Sequence, residues 1–527
     1  MTPNDLKESG LRLLEKSRKG LVHALFSRLG LFLVLLVMEV LLLLSAFRWF
    51  ARLLPHFIGG AALFSAVMVL YLLNTRMDAT AKITWLVIIM AAPGAGALLF
   101  WLVRSDLGHR AEKARVAELI DLTRSTLPPQ PEALAALEKE NPGAAALARY
   151  VDGNGCHPVY QNTEVTYFAL GEEKWERLLT ELEQAEKFIF LEYFIIDEGV
   201  MWGRVLEILA RKAKAGVDVR VMYDGTCEFS TLPHDYPRRL AKLGIKCKAF
   251  APVVPLVSTH YNYRDHRKIL VIDGHTAFNG GVNLADEYIN RIEKYGHWKD
   301  TAVMLKGEAA RSFTLMFLQM WNVTEQPPKF GEFCAAPVPP VSAPGFVMPF
   351  GDCPLDEDKV GEQVYMDILN RATKYVHIMS PYLILDGELQ NALEFAARRG
   401  VDVRLILPGV PDKTYPYALA KTHYAALLDA GVKIFEYDPG FVHAKVFVAD
   451  GREAVVGTIN LDYRSLYHHF ENAVWMRGTD CIANMEADFQ DTLTRCRRVE
   501  QTRESIWQGK KLLHLAGILL KFIAPLV

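Results

Sequence analysis

The stretch RDHRKILVIDGHTAFNGGVN, residues 264–283, decides how this chain is read, because VHAKVFVADGREAVVGTIN, residues 442–460, repeats it. Both fit one template: His, one residue, Lys, four residues, Asp, six residues, Gly, two residues, Asn. The first copy supplies His266, Lys268, Asp273, Gly280 and Asn283; the second supplies His443, Lys445, Asp450, Gly457 and Asn460. Apolar residues follow each Lys (Ile269, Leu270, Val271, Ile272; Val446, Phe447, Val448, Ala449), as in a buried strand. Side chains alternate along a strand, so His and Lys two apart share a face. Asp273 and Asp450 fall at the opposite parity, each followed by Gly, and Asp-Gly between two apolar runs signals a hairpin turn. They read as turn anchors rather than further catalytic acids. Each Asn returns on or just after the next strand, where its amide can point back toward His and Lys.

A lone His-x-Lys is common and describes a solvated strand face; five matched positions occurring twice do not. Two imidazoles, two ammoniums and two amides suit a phosphodiester. An imidazole near its ordinary pKa of ~6.5 can attack phosphorus or donate a proton. Lys and Asn donors stabilise charge building on the phosphoryl oxygens. Such chemistry calls for no metal and no cofactor.

These residues resemble the phospholipase D superfamily. Within it, RDHRKILVIDG, GGVNLADEY (280–288), HWKDT (297–301), SPYL (380–383) and GTINLDYRSLYHHFE (457–471) are similar to the bacterial cardiolipin synthases. The resemblance implies a duplicated His-Lys-Asp motif, His266, Lys268, Asp273 with His443, Lys445, Asp450, working through a covalent phosphohistidine. Two departures stand out: Thr458 replaces a common Ser, and His468-His469 replaces a more usual Leu-Asn.

Outward from the motifs, 527 residues allow a membrane region plus a two-lobed catalytic body. The apolar fraction of 51% is high for a wholly soluble protein. Fifty-nine Lys+Arg against 61 Asp+Glu argue against a nucleic-acid partner, which calls for a basic excess. Seven scattered cysteines with no CxxC or Cys/His cluster read as free thiols in a reducing compartment, not a zinc site.

After a basic tail (1–28), residues 29–103 hold three apolar runs, 29–47, 57–73 and 83–103, expected as transmembrane helices without a cleaved signal peptide. Glu39 lies near the centre of the first run, where a carboxylate is costly. If that run dips or lies along the interface, positive charges collect on one side, twelve against two. The expectation is two true spans, a multi-pass protein of the bacterial inner membrane, and a cytoplasmic catalytic body.

Residues 104–160 read as a mostly helical connector, 161–326 and 350–498 as two lobes, and 327–349, with seven prolines, as the linker between them. GVDVR occurs at 216–220 and again at 400–404, inside matching strand–helix–strand patterns (187–197, 200–214, 216–223; 374–385, 388–399, 400–407). Strands alternating with helices twice over predict an α/β fold: duplicated lobes with mixed sheets flanked by helices. DTAVM (300–304) lines up with ENAVW (471–475), placing Asp300 opposite Glu471. A catalytic imidazole needs an acceptor on its second nitrogen, and these acids are candidates for it. Tyr193, Tyr382 and Glu192 are candidates to line the pocket or simply to pack. In the C-terminal segment 499–527, Lys510, Lys511, His514, Gly517 and Lys521 fall on one helical face with leucines opposite. That pattern suits an anionic membrane surface, or a helix packed on the body.

The resemblance implies a phosphatidyltransferase that joins two phosphatidylglycerols into cardiolipin and releases glycerol. His266 would be the nucleophile and His443 the general acid and base, an order taken from the family. Lys268, Lys445, Asn283 and Asn460 would hold the phosphate oxygens. A hydrolase would use the same residues with water as acceptor, a headgroup-exchange phosphatidyltransferase would offer the same intermediate another acceptor, and a non-catalytic membrane scaffold would not need both motifs intact.

Overall fold

The computed structural model describes residues 60–92, 94–104, 110–252, 263–356, 358–500 and 511–526, together with Ser45. Its eighteen described strands are β1 Thr163–Phe168, β2 Phe188–Tyr193, β3 Asp218–Asp224, β4 Lys246–Phe250, β5 Arg264–Asp265, β6 Lys268–Ile272, β7 Thr276–Gly280, β8 His297–Lys299, β9 Ala302–Gly307, β10 Phe346–Asp352, β11 Tyr375–Met379, β12 Asp402–Pro408, β13 Lys433–Tyr437, β14 Gly440–Val442, β15 Val446–Ala449, β16 Glu453–Gly457, β17 His469–Arg477 and β18 Cys496–Arg498.

The duplication is visible strand for strand. The first sheet runs β1-β9-β7-β6-β2-β3-β4 and the second β10-β17-β16-β15-β11-β12-β13, with β18 added at its edge. In each sheet the motif strand (β6 or β15) pairs antiparallel with the strand after it and with the first crossover strand (β2 or β11), and the next two pairings are parallel. Helices Gly171–Leu182 and Val200–Lys214 cover the outer face of the first sheet, and Val360–Arg371, Gly387–Arg398 and Thr414–Asp429 that of the second. Between the sheets a shared apolar cluster joins Ile269, Val271 and Val303 to Val446, Val448 and Val474. Helix Ala310–Trp321 lies in this cluster with Phe313, Phe317 and Trp321 packed inside. Burying such faces between the halves is the main force holding them together.

Three expectations need correction. Pro349 lies inside β10, so the second lobe's sheet begins at Phe346 rather than after the Pro-rich segment. β10 is an edge strand, paired with β17 along one side and bridged on the other at Val347 to Tyr160, and at such an edge a residue lacking an N–H is tolerated. The connector is also more than a tether: Leu137, Leu147 and Val151 from its helices are buried with Val364 and Ile368. The third correction is the membrane region. Run 57–73 forms helix Gly60–Asn74, and run 83–103 is split into Ala79–Ala91 and Ala95–Arg104. The sequence puts Pro93-Gly94 at the break, and Gly94 adopts φ +80° there, a conformation no helix uses. Among the described residues no helix is long and apolar enough to cross a membrane; run 29–47 and its Glu39 lie outside the described residues.

Asp273 and Asp450 do more than turn the chain. Each sits at positive φ (52° and 53°) in the connection that follows its motif strand. The Asp273 carboxylate accepts the backbone N–H groups of Glu186, Lys187 and Phe188, each at 2.8 Å. Asp450 accepts those of Thr373, Lys374 and Tyr375 at 2.8–2.9 Å, with the Thr373 hydroxyl at 2.8 Å. Burial pushes the Asp450 carboxyl up, but these donors outweigh it and leave it below the usual range. Its contribution to stability is therefore complete above the ordinary carboxyl pKa and is lost as pH falls through the lower folded value. Asp450→Asn keeps shape and the positive φ but turns one acceptor into a donor. We expect a loss of about 1–2 kcal/mol in urea unfolding near neutral pH, with turnover persisting in the folded fraction. Abolished turnover at unchanged stability would give Asp450 a chemical role instead.

Candidate active site

The motif histidines are not inside the strands that carry their apolar runs. His266 falls in the two-residue gap between β5 and β6, and His443 follows β14 directly. These short flanking strands pair with the opposite lobe. β5 runs parallel to the start of β17, with Arg264 opposite His469 and Asp265 opposite Phe470. β14 runs parallel to β8, with Phe441 opposite Trp298 and Val442 opposite Lys299. The backbone continues the register: the His266 N–H donates to Phe470 O at 2.9 Å, and the His443 N–H to Lys299 O at 2.7 Å. The next residue on each opposing strand is the carboxylate that the sequence alignment had matched.

Each histidine is thus held by the acid of the other lobe. His266 Nδ1 lies 2.9 and 3.0 Å from the two Glu471 oxygens, and His443 Nδ1 lies 2.7 Å from Asp300 Oδ2. A carboxylate only accepts, so each Nδ1 carries the proton and each Nε2 keeps its lone pair. Neither Nε2 has a partner among the described residues. The acids are themselves fixed. The Thr458 hydroxyl donates to Glu471 Oε2, and the Thr301 N–H donates to Asp300 Oδ1 at 2.8 Å. Gly281 occupies the position in the first copy that Thr458 holds in the second. A Cβ there would fall 2.1 Å from Asp300 Oδ1, so the shorter acid is packed against bare backbone.

The lysines fold back on their own histidines. Lys268 Nζ donates to His266 O at 2.6 Å, and Lys445 Nζ donates to His443 O. Burial dominates the electrostatics: His266 and His443 are only 6% and 8% exposed, which disfavours the imidazolium at both. Burial pushes the His266 imidazole well below the usual histidine range, Glu471 opposing and Lys268 reinforcing. His443 is lowered to about 4 by burial and then by Lys445, against the pull of Asp300. Burial likewise lowers Lys268 to about 8 and Lys445 to about 7, with Glu471 and Asp300 opposing. Glu471 is buried, which raises it, yet donation from His266 holds it far below the carboxylate range. The pocket thus sets two lysines, disfavoured as cations by burial, beside imidazoles with free lone pairs.

The two asparagines diverge. Asn283 Oδ1 accepts the Ile195 N–H at 3.0 Å and its Nδ2 donates to the Tyr288 hydroxyl at 2.8 Å, so this amide braces the wall rather than facing the cleft. Asn460 Oδ1 is buried with no hydrogen-bond partner; an oxygen only accepts, so it suits a substrate hydroxyl, and Nδ2 is the atom of this amide able to donate to a phosphoryl oxygen. Of the pocket candidates, Tyr193 is fully buried in the core, Tyr382 donates to Asp412 at 2.8 Å, and Glu192 pairs with Arg267.

Two neighbours escaped the motif reading. Lys174 is fully buried on helix Gly171–Leu182, where Nζ donates to Val282 O at 3.1 Å and to the Tyr193 hydroxyl at 3.3 Å. Burial lowers it to about 7, with Asp300 raising it and Lys268 lowering it. Its signal was positional, a lysine on the apolar stripe shared with Leu178 and Leu182. His469 packs its ring 5.3 Å from that of His266.

A family model described as "Cardiolipin synthase, PLD-like domain" matches residues 178–321 and 365–493, together more than half of the chain. An uncharacterized protein of Streptococcus mutans serotype c is 54% identical over 459 residues, covering 87% of this chain and 99% of that one. A cardiolipin synthase of Geobacillus kaustophilus is 31% identical over 500 residues, covering 94% and 98%. Among solved structures, a phosphatidylserine synthase of Haemophilus influenzae superposes with a TM-score of 0.54 at 15% identity, covering 73% of this chain and 100% of that one, which speaks for the fold. With both motif copies intact and the match spanning both lobes, this chain belongs to the cardiolipin synthase, PLD-like domain family.

Proposed function

We propose that the chain is a phosphatidyltransferase that converts two phosphatidylglycerols into cardiolipin and glycerol. The observation that supports this most directly is the pair of acid-held imidazoles, each with a bare Nε2, beside two anion-seeking lysines. His266 Nε2 attacks the donor phosphorus, the bond to the glycerol oxygen breaks, and His443 gives that oxygen its proton. A bound phosphodiester anion favours the imidazolium, so His443 takes up this proton with substrate although burial keeps it neutral beforehand. The acceptor hydroxyl then gives its proton to His443 and attacks the phosphatidyl-histidine, releasing His266. Lys268, Lys445 and Asn460 hold the phosphoryl oxygens as negative charge builds on them. Asn283 acts at one remove through Tyr288, and Glu471 and Asp300 keep each imidazole in the reactive tautomer.

Incubating purified full chain with headgroup-labelled phosphatidylglycerol should yield cardiolipin and free labelled glycerol. Phosphatidic acid as the sole lipid product would make the chain a hydrolase. His266→Ala should remove an acid-labile lipid adduct, and an adduct mapped to His443 would exchange the two roles.

The free-enzyme lysines steepen the alkaline limb. Raising pH through about 7 to 8 strips protons from Lys445 and Lys268 and with them the attraction for the phosphodiester. kcat/KM should therefore fall by about tenfold per unit already below neutrality, because His443 must take up a proton that the free enzyme lacks above about 4, and more steeply once Lys445 and Lys268 lose theirs, while nucleophile protonation sets no limit near neutrality. A profile flat from pH 6 to 9.5 would contradict this assignment.

We further propose that the chain works at a phospholipid membrane, anchored through its termini, with the catalytic body on the cytoplasmic side. Leu63, Leu70 and Met90 on the N-terminal helices and Leu515 and Leu519 on helix Lys511–Ile523 are all more than half exposed. The C-terminal helix also packs on the body: a Cβ at Gly517 would lie 3.0 Å from Ala418 O, and the Thr84 hydroxyl donates to Phe522 O at 2.7 Å. Gly517 and Leu520 thus turn inward, while Leu515, Ile518 and Leu519 stay outside. The full chain should float with phosphatidylglycerol vesicles even in 1 M salt, where surface electrostatics are screened. Recovery in the aqueous fraction without detergent would refute the anchor.

A further inference from the structure

His469 has no task in the chemistry above, yet its environment is unusual. It is 7% exposed, and both ring nitrogens lack a hydrogen-bond partner. Buried polar atoms without partners are rare and ask for a ligand. The nearest group is Glu471 Oε1, 3.6 Å from His469 Nδ1, too long for a hydrogen bond. The same oxygen lies 2.9 Å from His266 Nδ1. One donor atom each from His266, His469 and Glu471 fall within 4.8 Å of one another.

We propose that His266, His469 and Glu471 form an inhibitory site for a divalent transition metal of the zinc class, which binds His266 through Nδ1 and disables it as a nucleophile. Two imidazoles and one carboxylate are a zinc donor set, and with bonds of ~2.0 Å the edge of its tetrahedron is roughly 3.3 Å. The spacings of 2.9 and 3.6 Å bracket that edge. Glu471 is prepared for the role, since Thr458 occupies Oε2 and leaves Oε1 toward both rings. Such outer support orients a metal-binding carboxylate.

The inhibitory consequence follows from one proton. A neutral imidazole carries a single N–H. At rest it sits on Nδ1 and donates to Glu471, leaving the lone pair on Nε2 for phosphorus. A metal on Nδ1 takes that nitrogen's lone pair, so the proton moves to Nε2 and no lone pair remains there to attack. No proton is lost and no bond of the substrate changes. Binding at the three side chains stands independently of the phosphatidyl-transfer reading; the loss of activity rests on it.

Equilibrium dialysis of the metal-free full chain in detergent against zinc chloride tests the site without any turnover. Wild type should bind one zinc more than His469→Asn, which carries the family's more usual residue at this position, and His469→Gln is a second variant should the first fold poorly. Zinc should also inhibit wild-type product formation at a concentration at least about tenfold lower than either variant requires. Equal zinc stoichiometry and affinity in wild type and variants would overturn the site. So would zinc inhibition of equal strength in all three. Release of phosphatidic acid in place of cardiolipin would count against the transferase reading and leave the dialysis result standing.

Discussion

The site depends on two short parallel strand pairings that cross between the lobes. Arg264 and Asp265 lie against His469 and Phe470, and Gly440 to Val442 lie against His297 to Lys299. A register one residue out would turn every following side chain to the other face and separate each imidazole from its carboxylate. The apolar cluster between the sheets supplies the affinity between halves, but it is tolerant of small slips. The backbone pairing sets position, and it sets it directly beside the reacting nitrogen. Each half of the chain therefore contributes a histidine to its own motif and a carboxylate to the other's.

Burial is what makes this arrangement reactive. Exposed histidines would be partly protonated at neutral pH and exposed lysines already satisfied by water. Enclosure disfavours the charged form of the imidazoles and of the lysines alike, with Glu471 and Asp300 opposing it at both lysines. Glu471 can remain ionised there because it accepts from the His266 imidazole and from the Thr458 hydroxyl.

Much of this was legible in the sequence, and the boundary is physical. The duplicated motif, the strand–helix alternation and the equivalence of Asp300 with Glu471 are local or repeated patterns, and repeats align without a structure. The crossing was not legible, because matching Asp300 to Glu471 says which residues correspond and nothing about which lobe's histidine each one meets. Nor was the split between Asn283 and Asn460, since one sequence template cannot show that Tyr288 and the Ile195 N–H capture the first amide. Lys174 lies outside the motif, and only its place on an apolar stripe hinted at it. The Pro93-Gly94 pair was visible inside the run 83–103; hydrophobic length hid what two helix-breaking residues do to it.

Thr458 and Gly281 stand at equivalent points of the two copies, and only one of them has a hydroxyl. A perfectly two-fold cleft would accept a phosphodiester equally well in either orientation, and the same lipid could be cut from either side. Here a longer acid with a hydroxyl behind it faces one imidazole, and a shorter acid pressed against glycine backbone faces the other. That difference of a few atoms gives the cleft a polarity. It makes the two histidine positions chemically inequivalent in a fold built from two copies of one unit.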